Sequence, residues 1–224
     1  MDSESPRSLL DLLLASGPLV WPILLASVVM MLCVLERTIA LRRRRVAPKR
    51  FVQCLLTQVE ENGDKEAALE LCHEETSHIA RVFEAGLRRW GKPAVEVEQA
   101  VLDEGERCAV ALRRYLRVIN GVGAITPLLG LLGTVWGMRV AFDQIAGSSA
   151  MGRPELLAGG ISQALLSTAS GLAVAIPAMI FYLHFTGRAD SLVMEIDRHG
   201  QSLVNLISAE AIEDRLGGRR KRAA

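Results

Sequence analysis

The feature that most constrains this chain is a set of three long stretches without an acidic or basic residue, apart from one histidine in the third. They cover residues 12–35, 118–138 and 156–187. At about 1.5 Å per residue, a helix of roughly 20 apolar residues crosses a hydrocarbon core of about 30 Å. Core helices of soluble proteins are usually shorter and more amphipathic. We therefore predict an all-α membrane protein whose three transmembrane helices cover 18–38, 119–142 and 158–185.

Basic residues are distributed unevenly around these spans. Of the 26 Lys and Arg residues, 16 lie between Glu36 and Arg117, beginning with "RRRR" at 42–45, and seven lie from Arg188 onward, ending in "GGRRKRAA". Basic residues near span ends stay in the cytoplasm. We therefore place segment 1–17 and loop 143–157 on the outer side, and segments 39–118 and 186–224 in the cytoplasm.

The first residues, "MDSES", are acidic, and no small-residue cleavage site follows the first apolar stretch. We therefore expect the first span to be retained, because a signal peptide has a basic start and such a site. Ser8–Ala15 is predicted either as a short interfacial helix or as an upstream extension of the span.

The cytoplasmic segments are predicted to be helical. Pro48 opens one helix, "NGD" at 62–64 ends it, Asp64 caps the next, and "GKP" at 91–93 interrupts the chain again. From Ala94 the helical pattern continues into the second span, and the third span continues past its membrane exit. We expect these extensions to pack as a helical bundle, with binding of a cytoplasmic partner as the alternative. The expected buried positions are Val97, Val101, Cys108, Leu112, Leu192, Ile196, Leu203, Leu206 and Ile207.

Several other classes of site are disfavoured. Cys72, His73 and His78 match no standard metal-ligand spacing, so no metal site is predicted. "GLLGTVWG" at 130–137 lacks the Lys-Ser/Thr of a phosphate-binding loop and lies inside a span. The basic clusters at 42–45 and 219–222 are typical of orientation signals and lipid-headgroup contacts, and no nucleic-acid partner is predicted.

Small residues form a strip along each of the last two spans, at alternating steps of four and three. Each strip contains one threonine, Thr134 in the second span and Thr168 in the third. The second-span strip comprises Gly123, Pro127, Gly130, Thr134, Gly137 and Ala141. The third-span strip comprises Gly160, Ala164, Thr168, Gly171, Ala175 and Ala178.

Such strips have two interpretations. Small residues let helix backbones approach closely, and Gly133 with Gly137 makes a GxxxG pair, so the strips can simply pack helices. Two matching strips also suggest a narrow surface between subunits or around an inserted partner helix. Gln163, Ser167 and Ser170 share a different face, where helix packing is the default explanation.

No Asp, Glu or Lys occupies the middle of any span. Arg139 and Asp143 fall near the outer end of the second, and His184 near the inner end of the third. Proton relays in membranes usually use Asp, Glu or His, because a hydroxyl pKa is far too high. If this chain conducts protons, a partner must supply the titrating carboxylate.

At these residues the chain closely resembles the MotA/TolQ/ExbB proton-channel family, and its ExbB/TolQ branch in particular. The resemblance is carried by "GAITPLLGLLGTVWGM" at 123–138, "GISQALLSTASGLAVAIPAM" at 160–179 and the loop "NGDKEAALELC" at 62–72. It implies a multi-pass protein of the bacterial inner membrane, with a periplasmic N-terminus and a cytoplasmic C-terminus. It also implies a homo-oligomeric ring, pentameric in the best-known members.

The resemblance further implies partners and a mechanism. The ring would surround single-span helices of an ExbD/TolR-type protein whose membrane Asp takes up and releases protons, with no cofactor. The partner's movement would deliver work to an envelope protein of the TonB or TolA type. The two pore threonines of the family correspond to Thr134 and Thr168.

One position departs from the family pattern. Where ExbB and TolQ typically read "EALLAT" or "EALIAT", this chain reads "QALLST", which places Gln163 at the acidic position. Glutamine can hydrogen-bond but cannot change charge. Either the acid is dispensable in this complex, or the ion pathway or its coupling differs.

We therefore predict a proton-motive-force-coupled membrane subunit that is not an enzyme. The alternatives are a structural membrane scaffold without ion flux and a motility-type stator. Three spans and a modest cytoplasmic loop fit the ExbB/TolQ branch better than a stator. The envelope process that is driven stays open.

Overall fold

The computed structural model describes residues 19–147 and 154–213, and within them the chain is helical apart from turns. The all-α prediction is confirmed. The predicted interfacial helix at Ser8–Ala15 and the basic cluster at 219–222 lie outside the described residues. The helices are α1 Val20–Ala40, α2 Arg43–Val46, α3 Lys49–Glu61, α4 Lys65–Glu74, α5 His78–Arg88, α6 Ala94–Leu112, α7 Leu116–Gly147 and α8 Pro154–Ile207.

Three helical stretches in the described part are long and apolar enough to cross a membrane, the same number as the predicted spans. They are Val20–Ala40, Ala94–Asp143, which includes the turn at 113–115 between α6 and α7, and Ala158–Ile207. Predicted spans 119–142 and 158–185 lie inside the second and third of these stretches. The first stretch begins at Val20 and includes the rest of predicted span 18–38. Large apolar side chains on these helices are exposed, among them Trp21 at 65% and Leu25 at 67%. Soluble monomers rarely present such surfaces as continuous patches, and they suit contact with lipid or with other apolar helices.

The chain divides into two compact units. The span unit comprises Met1–Glu36 and Tyr115–His184, and the bundle unit comprises Arg37–Arg114 and Phe185–Ala224. Helix α8 contributes to both, because its 54 residues continue without interruption to Ile207. The predicted continuation of the third span is thereby confirmed.

The bundle unit has a core of large aliphatic and aromatic side chains. Leu55, Phe83 and Leu87 are fully buried in it. A Cβ at Gly86 would lie 2.9 Å from Val101 Cγ2 and 3.1 Å from Leu203 Cδ2, so α5, α6 and α8 meet there. Eight of the nine expected positions are buried in this core, and Leu206 is partly exposed.

Residues next to the helix ends in this unit act as predicted: Asp64 caps the start of α4, and the "GKP" turn follows the end of α5. The Asp64 carboxylate caps α4 by accepting hydrogen bonds from the N–H groups of Glu66 at 2.9 Å and Ala67 at 3.3 Å. Gly91 has a φ of 74°, a left-handed conformation that favours glycine. Its N–H donates to the Ile207 carbonyl at 3.0 Å, which ties the "GKP" turn to the end of α8.

The predicted continuity of the helix from Ala94 into the second span is wrong. Helix α6 ends at Leu112, a turn covers 113–115, and α7 begins at Leu116. The buried Arg37 guanidinium donates to the carbonyls of Leu112 at 2.8 Å and Ala111 at 3.4 Å. Carbonyls at a helix end have no partner within the helix, so a cation that binds them stabilises the end.

Candidate functional site

The two strips of small residues face each other within the span unit. A Cβ built at Gly123 would lie 3.7 Å from Ala178 Cβ, and one at Gly137 would lie 3.1 Å from Ala164 Cβ. A Cβ at Gly160 would overlap Ala141 Cβ. These pairs run in opposite directions along the chain, so α7 and α8 pack antiparallel along their strips.

One helix approaches the backbone of the other most closely in the middle of this contact. A Cβ at Gly171 would lie 2.6 Å from the Thr126 carbonyl oxygen, and one at Gly130 would lie 3.1 Å from Thr168 Cα. The atoms that would be met belong to the backbone and cannot move aside as a flexible side chain can. Both positions therefore require glycine for α7 and α8 to pack as they do.

The two predicted pathway threonines differ in their surroundings. The half-buried Thr168 hydroxyl donates to the Gly130 carbonyl across the helix pair at 3.1 Å. The Thr134 hydroxyl donates to the Leu131 carbonyl of its own helix at 2.6 Å. Thr168 thus binds α8 to α7, whereas Thr134 makes only a local bond and stays partly accessible. Of the other strip members, Ala175 and Ala178 are buried and Pro127 is partly exposed.

The serine face of the third span also enters the contact. Ser167 is fully buried, and its hydroxyl has no hydrogen-bond partner. A Cβ at Gly133 would overlap this hydroxyl, so the glycine provides the space that Ser167 occupies. Ser170 donates to the Ser167 carbonyl at 2.8 Å, and Gln163 is partly exposed.

Sequence reasoning missed Thr126. This residue is fully buried on α7, and its hydroxyl donates to the Val122 carbonyl one turn earlier at 2.8 Å. The spacing of Thr126, Gly130, Gly133 and Gly137 also follows steps of four, three and four. That second series of small residues was the available signal, and it makes the contact face of α7 wider than a single strip.

Groups that titrate near neutral pH are absent from the middle of the described contact. In residues 118–138 and 158–183 there is no Asp, Glu, Lys, Arg or His. Arg139 and Asp143 form an ion pair at 3.3 Å beyond the C-terminal end of the first of these segments, and both side chains are largely exposed. The Arg139 guanidinium also lies 5.1 Å from the Trp136 ring centroid. The helix pair can therefore offer hydroxyls and carbonyls to a proton but no group that binds it near neutral pH.

The bundle unit has unfavourable chemistry at the cysteine considered as a metal ligand. Burial, followed by the charge of Glu84, raises the pKa of Cys72 to about 12. The thiol is therefore protonated near neutral pH, whereas a metal ligand must be a thiolate. His73 pairs with Glu84 at 3.2 Å. No group of three or more candidate ligand residues occurs in the described part of the chain.

The comparisons with known proteins bear on this helix pair. The profile of the MotA/TolQ/ExbB proton channel family matches residues 74–198, which are more than half of the chain and contain both motifs. The chain belongs to this family. Family membership and three apolar helices together make it a membrane protein of a transport family, not of an enzyme family.

The similar curated proteins include some named TolQ and some named ExbB. The chain is 31% identical over 128 residues to the Tol-Pal system protein TolQ of Pseudomonas aeruginosa, covering 52% of this chain and 55% of that protein. It is 42% identical over 90 residues to the biopolymer transport protein ExbB of Salmonella typhimurium, covering 38% of this chain and 36% of that protein. A putative ExbB-like protein of Synechocystis is 30% identical over 184 residues, covering 80% of this chain and 71% of that protein. The matches to TolQ and ExbB thus span about half of the former and about a third of the latter.

Proposed function

We propose that this chain is an ExbB/TolQ-type subunit of a proton-driven motor in the bacterial inner membrane. It would form a homo-oligomeric ring, a pentamer by family resemblance, with a periplasmic N-terminus and a cytoplasmic C-terminus. An ExbD/TolR-type single-span partner would supply the membrane Asp and pass work to a TonB- or TolA-type protein. The observation that carries the proposal is a close pair of spans that holds hydroxyls at the family's pore positions but no Asp, Glu, Lys, Arg or His in residues 118–138 and 158–183.

The hydrogen bonds of Thr134 and Thr168 fit a passive role in proton movement. Each hydroxyl donates its only proton to a backbone carbonyl, so its oxygen lone pairs are left to accept. A protonated carboxyl or a water molecule is a suitable donor to such an oxygen. The hydroxyls would thus favour the neutral, protonated form of a partner carboxyl and would not themselves carry the proton.

Gln163 extends this argument to the rest of the third span. Since it cannot change charge, all the titration within these spans would fall to the partner. Each charge that crosses a potential of about 100 mV releases about 2.3 kcal/mol. This free energy is enough to bias a helix movement but is small for each ion, so the motor would need repeated cycles.

Removing both hydroxyls tests the proposal. We expect Thr134→Val with Thr168→Val to abolish coupled work while the complex with the partner still assembles, because valine keeps the shape and loses the acceptor oxygen. The measurement is proton-dependent work in cells that produce the chain with its partner, together with the yield of the purified complex. Thr126→Val is the matched control, since it removes a hydroxyl of α7 that bonds only its own helix.

Full activity of the double variant would remove the hydroxyls from the mechanism. Equal loss of activity in Thr126→Val would mean that any buried hydroxyl of this helix pair is needed, and the role would then be packing.

Gln163→Glu tests whether charge at the family's acidic position matters here. We expect the glutamate to change the pH dependence of proton flux, because it adds a titrating group to spans that have none in the middle. The measurement is flux against pH in vesicles that contain the chain and its partner. Unchanged flux, pH profile and coupled work would show that charge at this position has no role in this complex.

A membrane scaffold without ion flux is the second candidate, and one observation favours it. The strips pack against each other within one chain, so close helix packing accounts for most of their small residues. Reconstitution with the partner separates the two functions. A scaffold would leave the proton permeability of the vesicles unchanged, whereas the motor subunit would raise it in a manner that depends on the partner's Asp.

A further inference from the structure

Two residues of the "RRRR" cluster after the first span line a cavity to which the proposed function assigns no role. This cavity has a volume of about 700 Å³ and lies wholly in the bundle unit. Four of its six lining residues are basic. The lining residues are Arg43, Arg44, Ala47, Pro48, Lys49 and Arg50.

The backbone beneath these charges is held in place. Val46 and Ala47 are 0% and 1% exposed, and Leu41 is 3% exposed, so the turn between α2 and α3 is anchored by buried apolar residues. The Ala47 N–H donates to the Arg43 carbonyl at 2.9 Å, and the Val52 N–H donates to the Pro48 carbonyl at 3.1 Å. The basic side chains therefore extend from a fixed support and not from a free tail.

The charge of the cavity is only partly compensated. Arg43 forms an ion pair with Glu195 of α8. Helix α3 has 13 residues, and Pro48 at its N-cap provides no side chain to accept from its first N–H groups. A helix N-terminus of this kind attracts anions and adds to the field of Arg44, Lys49 and Arg50.

The position of the cavity in the chain favours a phospholipid headgroup over a nucleic acid as the bound anion. Helix α1 ends at Ala40, so Arg43 follows within three residues and lies at most roughly 10 Å from that end. Phospholipid headgroups occupy a layer of roughly 5–7 Å beside the hydrocarbon core. The lining contains no aromatic side chain on which a nucleic-acid base could stack. We propose that this cavity binds the phosphate headgroup of an anionic phospholipid at the membrane surface.

A pair of matched double variants tests the site. Arg44→Gln with Arg50→Gln removes two cations that line the cavity, and Arg42→Gln with Arg45→Gln removes two neighbouring exposed cations that do not. The full-length chain in neutral detergent is titrated with phosphatidylglycerol, and bound lipid is counted by native mass spectrometry. We expect the first variant to bind about tenfold more weakly than wild type and the second to bind within about twofold.

Three further probes distinguish the sources of the anion. Phosphatidylcholine should bind more weakly than phosphatidylglycerol, and neither inorganic phosphate nor a short single-stranded RNA should displace the lipid at equal concentration. Equal loss in both double variants would overturn the site in favour of diffuse charge, and displacement by phosphate or RNA would overturn the choice of lipid. Circular dichroism of both variants checks folding, which these exposed side chains should not alter.

Discussion

The two units of this protein pack their helices by opposite means. In the span unit, α7 and α8 meet through glycine and alanine, and backbone lies against backbone at Gly130 and Gly171. In the bundle unit, the helices meet through large side chains such as Phe83 and Leu203, which are fully buried. The same chain therefore packs its helices through small residues in the span unit and through large residues in the bundle unit.

The difference follows from the solvent around each unit. Water drives apolar side chains together, so a large buried side chain stabilises the bundle unit in proportion to its area. Lipid tails are as apolar as leucine and provide no such force, so spans associate through close contact and hydrogen bonds. Glycine stabilises the span unit because it lets the helix backbones come into contact. Phenylalanine stabilises the bundle unit because its apolar surface is removed from water.

The largest expected effect is on the bundle unit. Phe83→Ala should lower the free energy of unfolding by about 3–5 kcal/mol, because it removes a fully buried ring that lies 6.2 Å from the Phe51 ring. Hydrogen exchange of peptides from each unit measures the effect and should show lost protection in the bundle unit. Val95→Ala is the control, since Val95 is 76% exposed and its truncation should have little effect. Equal loss of protection in the span unit would show that the units do not unfold separately.

An intermediate effect is expected in the span unit from adding a single methyl group. Gly171→Ala should cost about 1–3 kcal/mol, because the new Cβ would meet the Thr126 carbonyl and Gly130 Cα, which cannot move aside. Thermal unfolding in detergent measures the loss. Gly121→Ala is the matched control on α7, where a Cβ would meet nothing within 4 Å. A stable Gly171→Ala variant would contradict the close contact of α7 and α8.

The smallest expected effect is a dependence on pH that belongs to the bundle unit. Burial, and then Arg81 and Arg37, lowers the pKa of His78 below its ordinary value of 6.5, and burial lowers the pKa of His199 likewise. The unfolded chain thus binds protons that the folded chain does not. Stability is therefore full above about pH 6.5 and declines as the pH falls below it.

Replacing both histidines should remove this dependence. We expect His78→Gln with His199→Gln to flatten the curve of unfolding free energy against pH between 7 and 5, measured by hydrogen exchange in the bundle unit. The α7–α8 contact should show no such slope, because residues 118–138 and 158–183 contain no group that titrates in this range. An equal slope there would break the contrast between the units.

Much of the fold could be predicted because its signals are local. Uncharged length indicates a span, and steps of three and four place small residues on one helical face. The cap at Asp64 and the left-handed Gly91 are likewise encoded by a few neighbouring residues. These features need no knowledge of distant parts of the chain.

The remaining features depend on partners far away in the sequence. The end of α6 is bound by Arg37, which no local pattern around Leu112 indicates. The burial of Thr126 and Ser167 depends on the register between α7 and α8, which one helix cannot reveal. The roles of Thr134, Thr168 and Gln163 in ion movement stay predictions, because they depend on a second protein.

The bond between Arg37 and the end of α6 has a consequence for the order of synthesis. The donor precedes its acceptor by 75 residues, which a ribosome adds in roughly 4–15 s. Arg37 is therefore already made, at the end of the first apolar helix, when Leu112 is translated. Arg37 can therefore bind the end of α6 before the second apolar helix, which begins at Leu116, has been fully synthesised.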